Sequence, residues 1–491
     1  MLTSHFQNKS SLAPKDWDFA DGVILTAGAV IVAIISYLFI PAMPDDAYIY
    51  LRIAANIGSG QGWLYNVGEL TNPATSPIYT IVLTVVGLVF GYSSAALAVS
   101  YGIPLYALVV AQYVAWRRDG RVEAIVITAG TAFGARLLQS FGMETSLLMA
   151  LVSFTALAYQ HNGDSFRTGV FAGLTALTRP EGIILMGLIG ACHLMLRRQI
   201  AWRSALVTVA FLLSWVVISW LYFGTVVPHT AEVKSLQRRM SPWINEPDFF
   251  HAFILQSRWL IFTIPLVAIG LWLTVRRLFR NDTFPALCVG FGLVQVLGYQ
   301  LMDAPGAYFW YFEPGDFATN LAIMMALVWF GALVRRRLSL PQTAYVGAMF
   351  LMIPFVKEMS FDPIKRFPPN EYRHSGEYKA VAAWLRANSQ PADAFAATEI
   401  GYLGWYSKQP VLDINGLVHR RSLPGLRQRN LHWWWDEGER PRYVVVHRPP
   451  WDGEPGHTGT WPAQISAEFA SQYHKVFEYE GMEVFERNSA S

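Results

Sequence analysis

The chain has 491 residues, of which 53% are hydrophobic and only 15% carry a charge. Soluble domains carry about 25% charged residues, so this composition excludes an ordinary soluble enzyme and indicates a multi-pass membrane protein. The only two cysteines provide neither a disulfide framework nor a cysteine metal site. The sequence has no Walker loop, no glycine-rich nucleotide fingerprint and no basic array, which argues against transport driven by ATP and against a nucleic-acid partner.

Eleven apolar segments have, or nearly have, the length that crosses a membrane. They are residues 22–40, 94–116, 122–141, 144–160, 168–178, 181–197, 204–223, 253–273, 284–301, 317–334 and 341–357. The segment 168–178 is too short to cross alone, and we expect it to form a broken pair with its successor. Residues 78–90 are also short, and we interpret them as a helix that dips into the membrane without crossing it.

Arginine clusters predict the orientation, because cytoplasmic connections are enriched in positive charge. The clusters fall at residues 117–121, 167, 197–203, 276–280 and 335–337. With eleven crossings and a cytoplasmic N-terminus, every cluster is cytoplasmic. Counting 78–90 as a crossing would place the first cluster outside. We therefore predict a multi-pass protein of the plasma (inner) membrane whose C-terminal domain is extracytoplasmic.

The composition changes after the last apolar segment, and this divides the chain into two domains. Residues 1–358 form a transmembrane domain with a first outer loop at 41–93, and residues 359–491 form a soluble α/β domain. In that domain we expect an amphipathic helix at 375–387. Short strands are expected at residues 394–398, 411–414, 443–447 and 483–486. The predicted fold is mainly α, a bundle of about eleven transmembrane helices with an extracytoplasmic α/β domain.

Two adjacent acids, Asp45 and Asp46, follow the first apolar segment. An acid at a membrane surface costs free energy if it is buried, and it provides a general base if it lies beside a reacting group. If residues 45–58 form a helix, one narrow side of it is polar and the rest is apolar. This polar stripe consists of Asp45, Tyr48, Arg52 and Asn56. Such a stripe suits a helix that faces a polar cavity; the alternative is that one acid merely caps an interfacial helix.

Residues 178–182 interrupt a long apolar segment, and helices are broken at membrane depth where the backbone lines a cavity. Arg179 in this break either binds a phosphate or pairs with Glu181 in a surface turn. Glu144 lies on the same predicted face, where it either joins the site or caps the following helix.

His229 and Lys234 follow another apolar segment on that face. Each either contacts a phosphate or a sugar, or is an ordinary interfacial residue. The aromatic residues 308–312 are either membrane anchors or a surface that stacks on sugars. A divalent cation is compatible with the outer acids, but no ligand spacing requires a metal or another cofactor.

Together these segments resemble the polyprenyl-phosphate-sugar-dependent membrane glycosyltransferases of the GT-C class, and especially the mycobacterial-type arabinofuranosyltransferases and their bacterial relatives. The resemblance rests on motifs at residues 45–56, 60–66, 75–77, 142–145, 177–182, 228–234, 399–404 and 413–417, which occur in this order. In this class the first outer loop carries an essential aspartate and two helices that lie along the membrane. Asp45 matches that acid by position, and Asp46 is the second candidate. Residues 303–316 lack the arginine-containing pattern of many relatives, which leaves the acceptor open.

The resemblance implies an inverting transfer of a sugar from a polyprenyl-phosphate donor to an acceptor hydroxyl outside the cytoplasm. Asp45 would accept the hydroxyl proton, and Arg179, helped by Arg52, Lys234 or His229, would bind the donor phosphate. The expected partners are this donor, membrane lipid and an acceptor that is a glycan, a lipid or a protein of the cell envelope. The alternative from another class is a lipid-carrier flippase or polysaccharide transporter, in which the charges guide a substrate across.

Overall fold

The computed structural model describes residues 17–338 and 371–488, apart from residues 74, 257–259, 305 and 307. The first of these ranges is helical, and the second combines helices with a small sheet. The helices of the first range are α1 (Phe19–Leu38), α2 (Asp45–Gly58), α3 (Pro77–Phe90), α4 (Ser94–Trp116), α5 (Arg121–Ala132), α6 (Ala135–Gln139), α7 (Thr145–Asn162), α8 (Phe166–Thr178), α9 (Ile183–Arg197), α10 (Trp202–Phe223), α11 (His229–Gln237), α12 (Phe249–Gln256), α13 (Leu260–Leu278), α14 (Phe284–Leu301) and α15 (Glu313–Leu338).

Among the described residues, six helical segments are long and apolar enough to cross a membrane, by length and composition. They are α1, α4, Pro180–Arg197, α10, α14 and Glu313–Arg335. Helix α3 has 14 residues and is therefore about 21 Å long, which is shorter than the hydrocarbon core of about 30 Å. The expected segment 341–357 lies outside the described residues, so the total of about eleven crossings stays a prediction.

The predicted broken pair is confirmed by α8 and α9. Helix α8 ends at Thr178, Arg179 is extended with φ −152°, and a 3₁₀ turn over Pro180–Gly182 leads into α9. A proline disfavours helical backbone at the preceding residue, which explains why the break falls at Arg179. The expected span 122–141 was wrong as a single helix, because α5 ends at Ala132 and α6 begins at Ala135. The expected span 253–273 includes residues 257–259, which lie outside the described residues, so it stays a prediction.

Arginines of two predicted cytoplasmic clusters form ion pairs at one end of the bundle. Arg117 contacts Asp21 at 2.6 Å, and Arg277 contacts Asp119 at 2.7 Å. At the other end Ser94, the first residue of α4, lies 2.9 Å from the Tyr48 hydroxyl. The 23 residues of α4 separate these two ends by about 34 Å. The connections that carry Arg117 and Arg277 therefore share one face, as the arginine pattern predicts; which side of the membrane that face takes stays a prediction.

The C-terminal range forms a five-stranded sheet flanked by short helices. The sheet order is β2–β1–β3–β5–β4, with β1 parallel to β2 and β3, and β5 antiparallel to β3 and β4. The strands are β1 (Phe395–Ala397), β2 (Val411–Asp413), β3 (Tyr443–His447), β4 (Tyr473–Tyr479) and β5 (Met482–Arg487). The helices are α16 (Ser375–Asn388), α17 (Gly401–Ser407), α18 (Ser422–Arg427), α19 (Trp433–Asp436) and α20 (Ala463–Gln472).

The expected helix and four expected strands of this region are confirmed. Strand β4 was missed because its sequence is rich in charged and polar residues, of which His474, Lys475 and Glu478 are exposed. It lies at the edge of the sheet, where a strand buries little side-chain surface and carries no alternating apolar signal.

The C-terminal domain docks on α2 through the Asp45 carboxylate. Its oxygens accept hydrogen bonds from the backbone N–H groups of Gly401 at 2.6 Å and Tyr402 at 2.7 Å, at the start of α17. A carboxylate at this place satisfies N–H groups that have no partner inside the helix. The Tyr48 ring packs 4.2 Å from the Tyr402 ring, measured between centroids.

The rest of the polar stripe also serves this docking. The Arg52 guanidinium donates to the carbonyl oxygens of Gly404 at 2.8 Å and Gln409 at 2.9 Å. Asn56 donates to the carbonyl oxygen of Leu64 at 2.8 Å and thereby fixes the outer loop beneath. The expectation that the stripe faces an open polar cavity is therefore wrong. Helical phase predicts the stripe but not the surface that covers it.

Two glycines of α17 allow this close approach. A Cβ atom at Gly401 would lie 1.9 Å from the Asp45 carbonyl oxygen, and one at Gly404 would lie 2.0 Å from the Tyr65 hydroxyl. These distances are far inside van der Waals contact, so a side chain at either position pushes the two domains apart. The motif at residues 399–404 is thus explained in part by packing.

We predict that Gly401→Ala lowers the free energy of unfolding by about 2 kcal/mol, because overpacking forces the backbone to shift. Thermal unfolding in detergent measures the effect. Gly376→Ala is the matched control, since its Cβ would have no neighbour closer than 3.9 Å. Equal melting temperatures for the two variants would contradict the close packing of α17 on α2.

An ion pair outside the helices adds to the docking. His419 Nδ1 lies 2.8 Å from a Glu69 carboxylate oxygen, and the other ring nitrogen lies 2.8 Å from the Val411 carbonyl oxygen. Burial alone would lower the pKa of His419, but the Glu69 carboxylate raises it above its ordinary value of 6.5. Burial would likewise raise the pKa of Glu69, and the hydrogen bond from His419 lowers it below 4.5.

This pair predicts a pH-dependent contribution to stability. A raised histidine pKa stabilises below about pH 6.5 and ceases to do so as pH rises through the folded value. A lowered glutamate pKa stabilises above about pH 4.5 and ceases to do so as pH falls through the folded value. The melting temperature of His419→Gln should therefore fall furthest below wild type near pH 5.5 and approach it above pH 8. A deficit that does not change with pH, or that the exposed control His251→Gln shares, would contradict the pair.

Candidate active site

A cavity lies where α2, α7, α11 and the aromatic turn before α15 meet the C-terminal domain. Its polar lining consists of Asp46, Tyr50, Thr75, Glu144, Thr230, Lys234 and Tyr311. Its less polar lining consists of Ile49, Ile53, Pro73, Met143, Trp310, Leu417 and Val418. Charged groups of both signs thus face a partly apolar cavity. Its lining residues come from the transmembrane helices, the first outer loop and the C-terminal domain.

Asp46 and Lys234 form the charged centre of this cavity. The Lys234 ammonium lies 3.4 Å from an Asp46 carboxylate oxygen and 4.3 Å from the centroid of the Tyr308 ring. Burial alone would lower the pKa of Lys234, but the neighbouring Tyr311 hydroxyl and the Asp46 carboxylate raise it above its ordinary value. Lys234 is therefore a protonated ammonium group that is shielded from water.

Asp45 points in another direction and takes no part in this lining. Its side chain is buried against α17, and burial raises its pKa to about 6. The Glu399 side chain lies beside Asp45, and burial and the charges of Asp45 and Asp46 raise the pKa of Glu399 well above its ordinary value.

The sequence identifies Glu399 only as part of the motif at residues 399–404, and its place beside the two aspartates was missed. Local sequence gives no indication that the start of α17 meets a helix more than 350 residues earlier. The C-terminal domain thus brings a third carboxyl group next to the Asp45–Asp46 pair.

Arg179 lies behind the cavity lining. Its guanidinium carbon is 4.6 Å from the centroid of the Tyr311 ring. Its nitrogens contact Glu181 at 2.6 Å, Glu144 at 3.3 Å and the Tyr299 hydroxyl at 3.1 Å. The local pair with Glu181 is therefore present, as one of the two alternatives for this break predicts. All three nitrogens are engaged, so a phosphate would have to displace an existing partner.

Glu144 has one carboxylate oxygen toward Arg179 and another that has no hydrogen-bond partner among the described residues. The side chain is 2% exposed and lines the cavity. An unpaired buried acceptor costs about 1–3 kcal/mol, which a hydroxyl group of a ligand would recover. Glu144 does not form a side-chain cap on α7.

The predicted site residues divide into two groups. Asp46, Glu144 and Lys234 line the cavity, with Arg179 and Glu181 behind it. Asp45, Tyr48, Arg52, Asn56 and His229 instead hold the outer loop and the C-terminal domain in place. His229 illustrates the second group, because its Nε2 atom lies 2.8 Å from the Gly416 carbonyl oxygen.

Aromatic residues form a wall of the cavity. Trp310 and Tyr311 line it, and Tyr308 covers Lys234. Sequence left this segment between membrane anchors and a sugar-stacking surface, and the structure places it at the site. Tyr299 was missed because a single tyrosine in an apolar helix gives no distinguishing signal, and Tyr50 because helical phase places it outside the polar stripe of α2. Among the described residues, no group of three or more histidines, cysteines and acids is arranged to hold a metal ion.

The structure predicts different roles for the two aspartates. Asp45→Asn replaces an acceptor of two N–H bonds by an amide and should lower the free energy of unfolding by about 2 kcal/mol. Asp46→Asn removes only a partly exposed ion pair and should change it by less than about 1 kcal/mol. Thermal unfolding of both variants measures this difference, and an Asp46 variant as unstable as the Asp45 variant would contradict the assignment.

The fold is of the GT-C type, the class of membrane glycosyltransferases to which ArnT belongs. ArnT from Cupriavidus metallidurans bound to undecaprenyl phosphate matches with a TM-score of 0.60 and 14% identity over 94% of this chain and 97% of that chain. The apo form of the same protein matches with a TM-score of 0.56 and 14% identity over 95% of this chain and 98% of that chain. At this identity the likeness establishes the fold alone.

A sequence relative is the terminal beta-(1->2)-arabinofuranosyltransferase of Mycobacterium tuberculosis, which is 26% identical over 400 residues. The match covers 73% of this chain and 60% of the relative, so the chain spans less than two thirds of that protein. Residues 369–489 match a family described as a domain of unknown function, DUF8728.

Proposed function

We propose that the protein transfers a sugar from a polyprenyl-phosphate donor to an acceptor hydroxyl, with inversion at the anomeric carbon. The observation that carries the proposal is the Asp46–Lys234 pair, 3.4 Å apart in an aromatic-walled cavity of a GT-C fold. The name of the mycobacterial relative favours arabinofuranose as the sugar. The undecaprenyl phosphate held by ArnT favours a polyprenyl-phosphate carrier.

Asp46 is the general base of this proposal, in place of Asp45. It lines the cavity and has a single long ion pair, whereas both Asp45 oxygens accept backbone N–H groups. Asp46 takes the proton from the acceptor hydroxyl while the oxygen of that hydroxyl attacks the anomeric carbon. The bond from that carbon to the phosphate oxygen breaks, and the electron pair leaves with the phosphate. Only one base is required, because a phosphate leaves without protonation.

Lys234 stabilises the charge that develops on the leaving phosphate. Its ammonium is buried, so its attraction to an anion is stronger than it would be in water. Arg179 adds positive charge from behind Tyr311 while it holds Glu144 in place. The Glu144 oxygen that has no partner among the described residues accepts a hydrogen bond from a hydroxyl of the donor sugar. Trp310 and Tyr311 pack against the same sugar.

The cavity lies at the end of the bundle opposite Arg117 and Arg277. Together with the positive-inside rule, this supports a site on the outer side of the plasma membrane and a cytoplasmic N-terminus. The same arrangement disfavours the flippase or transporter alternative. A transport path predicts charged groups deep within several helices, whereas Asp46, Glu144, Arg179 and Lys234 gather near one end.

The proposal is tested with purified protein in nanodiscs, a radiolabelled polyprenyl-phosphate arabinofuranose and a synthetic arabinofuranoside acceptor. We expect Asp46→Asn to lower the rate of transfer by about 10²-fold or more while it retains binding of the donor, because the base is lost and the fold is kept. Asp436→Asn, an exposed position of the C-terminal domain, is the control.

An Asp46→Asn enzyme with at least half of the wild-type rate would eliminate Asp46 as the base. Wild-type protein in sealed liposomes tests the transporter alternative, which movement of the labelled lipid across the bilayer without any product would establish.

A further inference from the structure

We propose that a second cleft, beside the reaction cavity, binds the sugars of a glycan acceptor that precede the residue whose hydroxyl attacks the donor. This inference rests on the proposed transferase function. The cleft, called the acceptor cleft below, lies between the outer loop, the end of α10, α11 and α18. The residues of it that matter here are Thr71, Asn72, His229, Arg420, Leu423 and Arg427. Its volume of about 330 Å³ lies at the lower limit of typical ligand sites and is ample for one or two sugar rings.

Three chain segments continue from one site into the other. Residues 70–72 line the acceptor cleft and Pro73 and Thr75 line the reaction cavity. Helix α11 presents His229 to the cleft and Lys234 to the cavity. The segment after β2 does the same, since residues 417–418 line the cavity and residues 420–427 contribute to the cleft.

A thin wall separates the two sites. It is held by the hydrogen bond between His229 Nε2 and the Gly416 carbonyl oxygen at 2.8 Å, and by the Thr230 hydroxyl, which donates to the Pro73 carbonyl oxygen at 2.8 Å. The acceptor cleft is therefore the space that adjoins the reaction cavity along all three segments.

The chemistry of the cleft suits a neutral, hydroxyl-rich ligand. Thr71 and Asn72 are 6% and 0% exposed, and the side-chain oxygen of each has no hydrogen-bond partner among the described residues. The Asn72 amide nitrogen donates to the Ser219 hydroxyl at 3.0 Å, so the amide oxygen points away from Ser219. Sugar hydroxyls supply the donors that these acceptors lack.

Charge distribution in the cleft disfavours a second phosphate site. Burial lowers the pKa of His229, so its wall is neutral at physiological pH. The guanidinium of Arg427 contacts Glu232 at 2.6 Å, which offsets its charge. Arg420 at the rim offers planar donors to ring and hydroxyl oxygens.

The proposal predicts a preference for longer acceptors that depends on this cleft. Binding is measured by isothermal titration calorimetry with octyl arabinofuranosides of one and of four sugars, without donor. Wild type should bind the tetrasaccharide about 10-fold more tightly than the monosaccharide. Leu423→Trp, which fills the cleft from α18, and Arg420→Gln, which removes rim donors, should reduce this gain to about 2-fold or less. Arg421→Gln is the matched control, because this neighbouring arginine is 77% exposed and pairs with Glu439 instead.

The outcomes separate this inference from the transferase proposal. Binding is measured without donor. Tighter binding of the tetrasaccharide by wild type, reduced in the two cleft variants, therefore supports the cleft even if no turnover is seen. The inference is overturned if both cleft variants, each with a wild-type melting temperature, still bind the tetrasaccharide about 10-fold more tightly than the monosaccharide. If wild type shows turnover in that case, the transferase function still stands. Displacement of the tetrasaccharide by undecaprenyl phosphate in wild type but not in Leu423→Trp identifies a lipid site and also overturns it.

Discussion

The carboxylate of Asp45 at the start of α17 is the interaction on which the rest of the site depends. It is buried and accepts two backbone N–H groups, so it fixes both the rotation of α2 and the position of the C-terminal domain. Successive residues of a helix point about 100° apart. With Asp45 held toward α17, Asp46 must face the cavity that it shares with Lys234. Asp45 is thus structural, and it turns Asp46, the proposed base, toward the cavity.

The same docking makes the C-terminal domain a part of the site. It brings Glu399 beside the aspartates, closes the reaction cavity with residues 417–418 and forms one wall of the acceptor cleft. Gly401 and Gly404 permit the approach, and Arg52 and His229 fasten it with bonds to backbone carbonyl oxygens. A side chain that weakens the docking therefore changes the site without touching a substrate.

Sequence predicted the parts of this arrangement whose signals are local. Periodicity and length identified α2 and the short α3, and Pro180 marked the break at Arg179. Assignments that depend on distant contacts failed. Arg52 has the chemistry of a phosphate ligand, but two of the carbonyl oxygens to which it donates, those of Gly404 and Gln409, lie more than 350 residues away, which no local pattern reveals. Glu399 was missed as a site residue for the same reason.

The measurement that tests this account most directly is a structure of the protein in a nanodisc with undecaprenyl phosphate bound. The account predicts a phosphate within hydrogen-bond distance of the Lys234 ammonium, with Asp46 facing the lipid phosphate and Asp45 still bonded to α17. A phosphate bound away from Lys234, or an Asp45 side chain that has left α17 and points into the cavity, would contradict it.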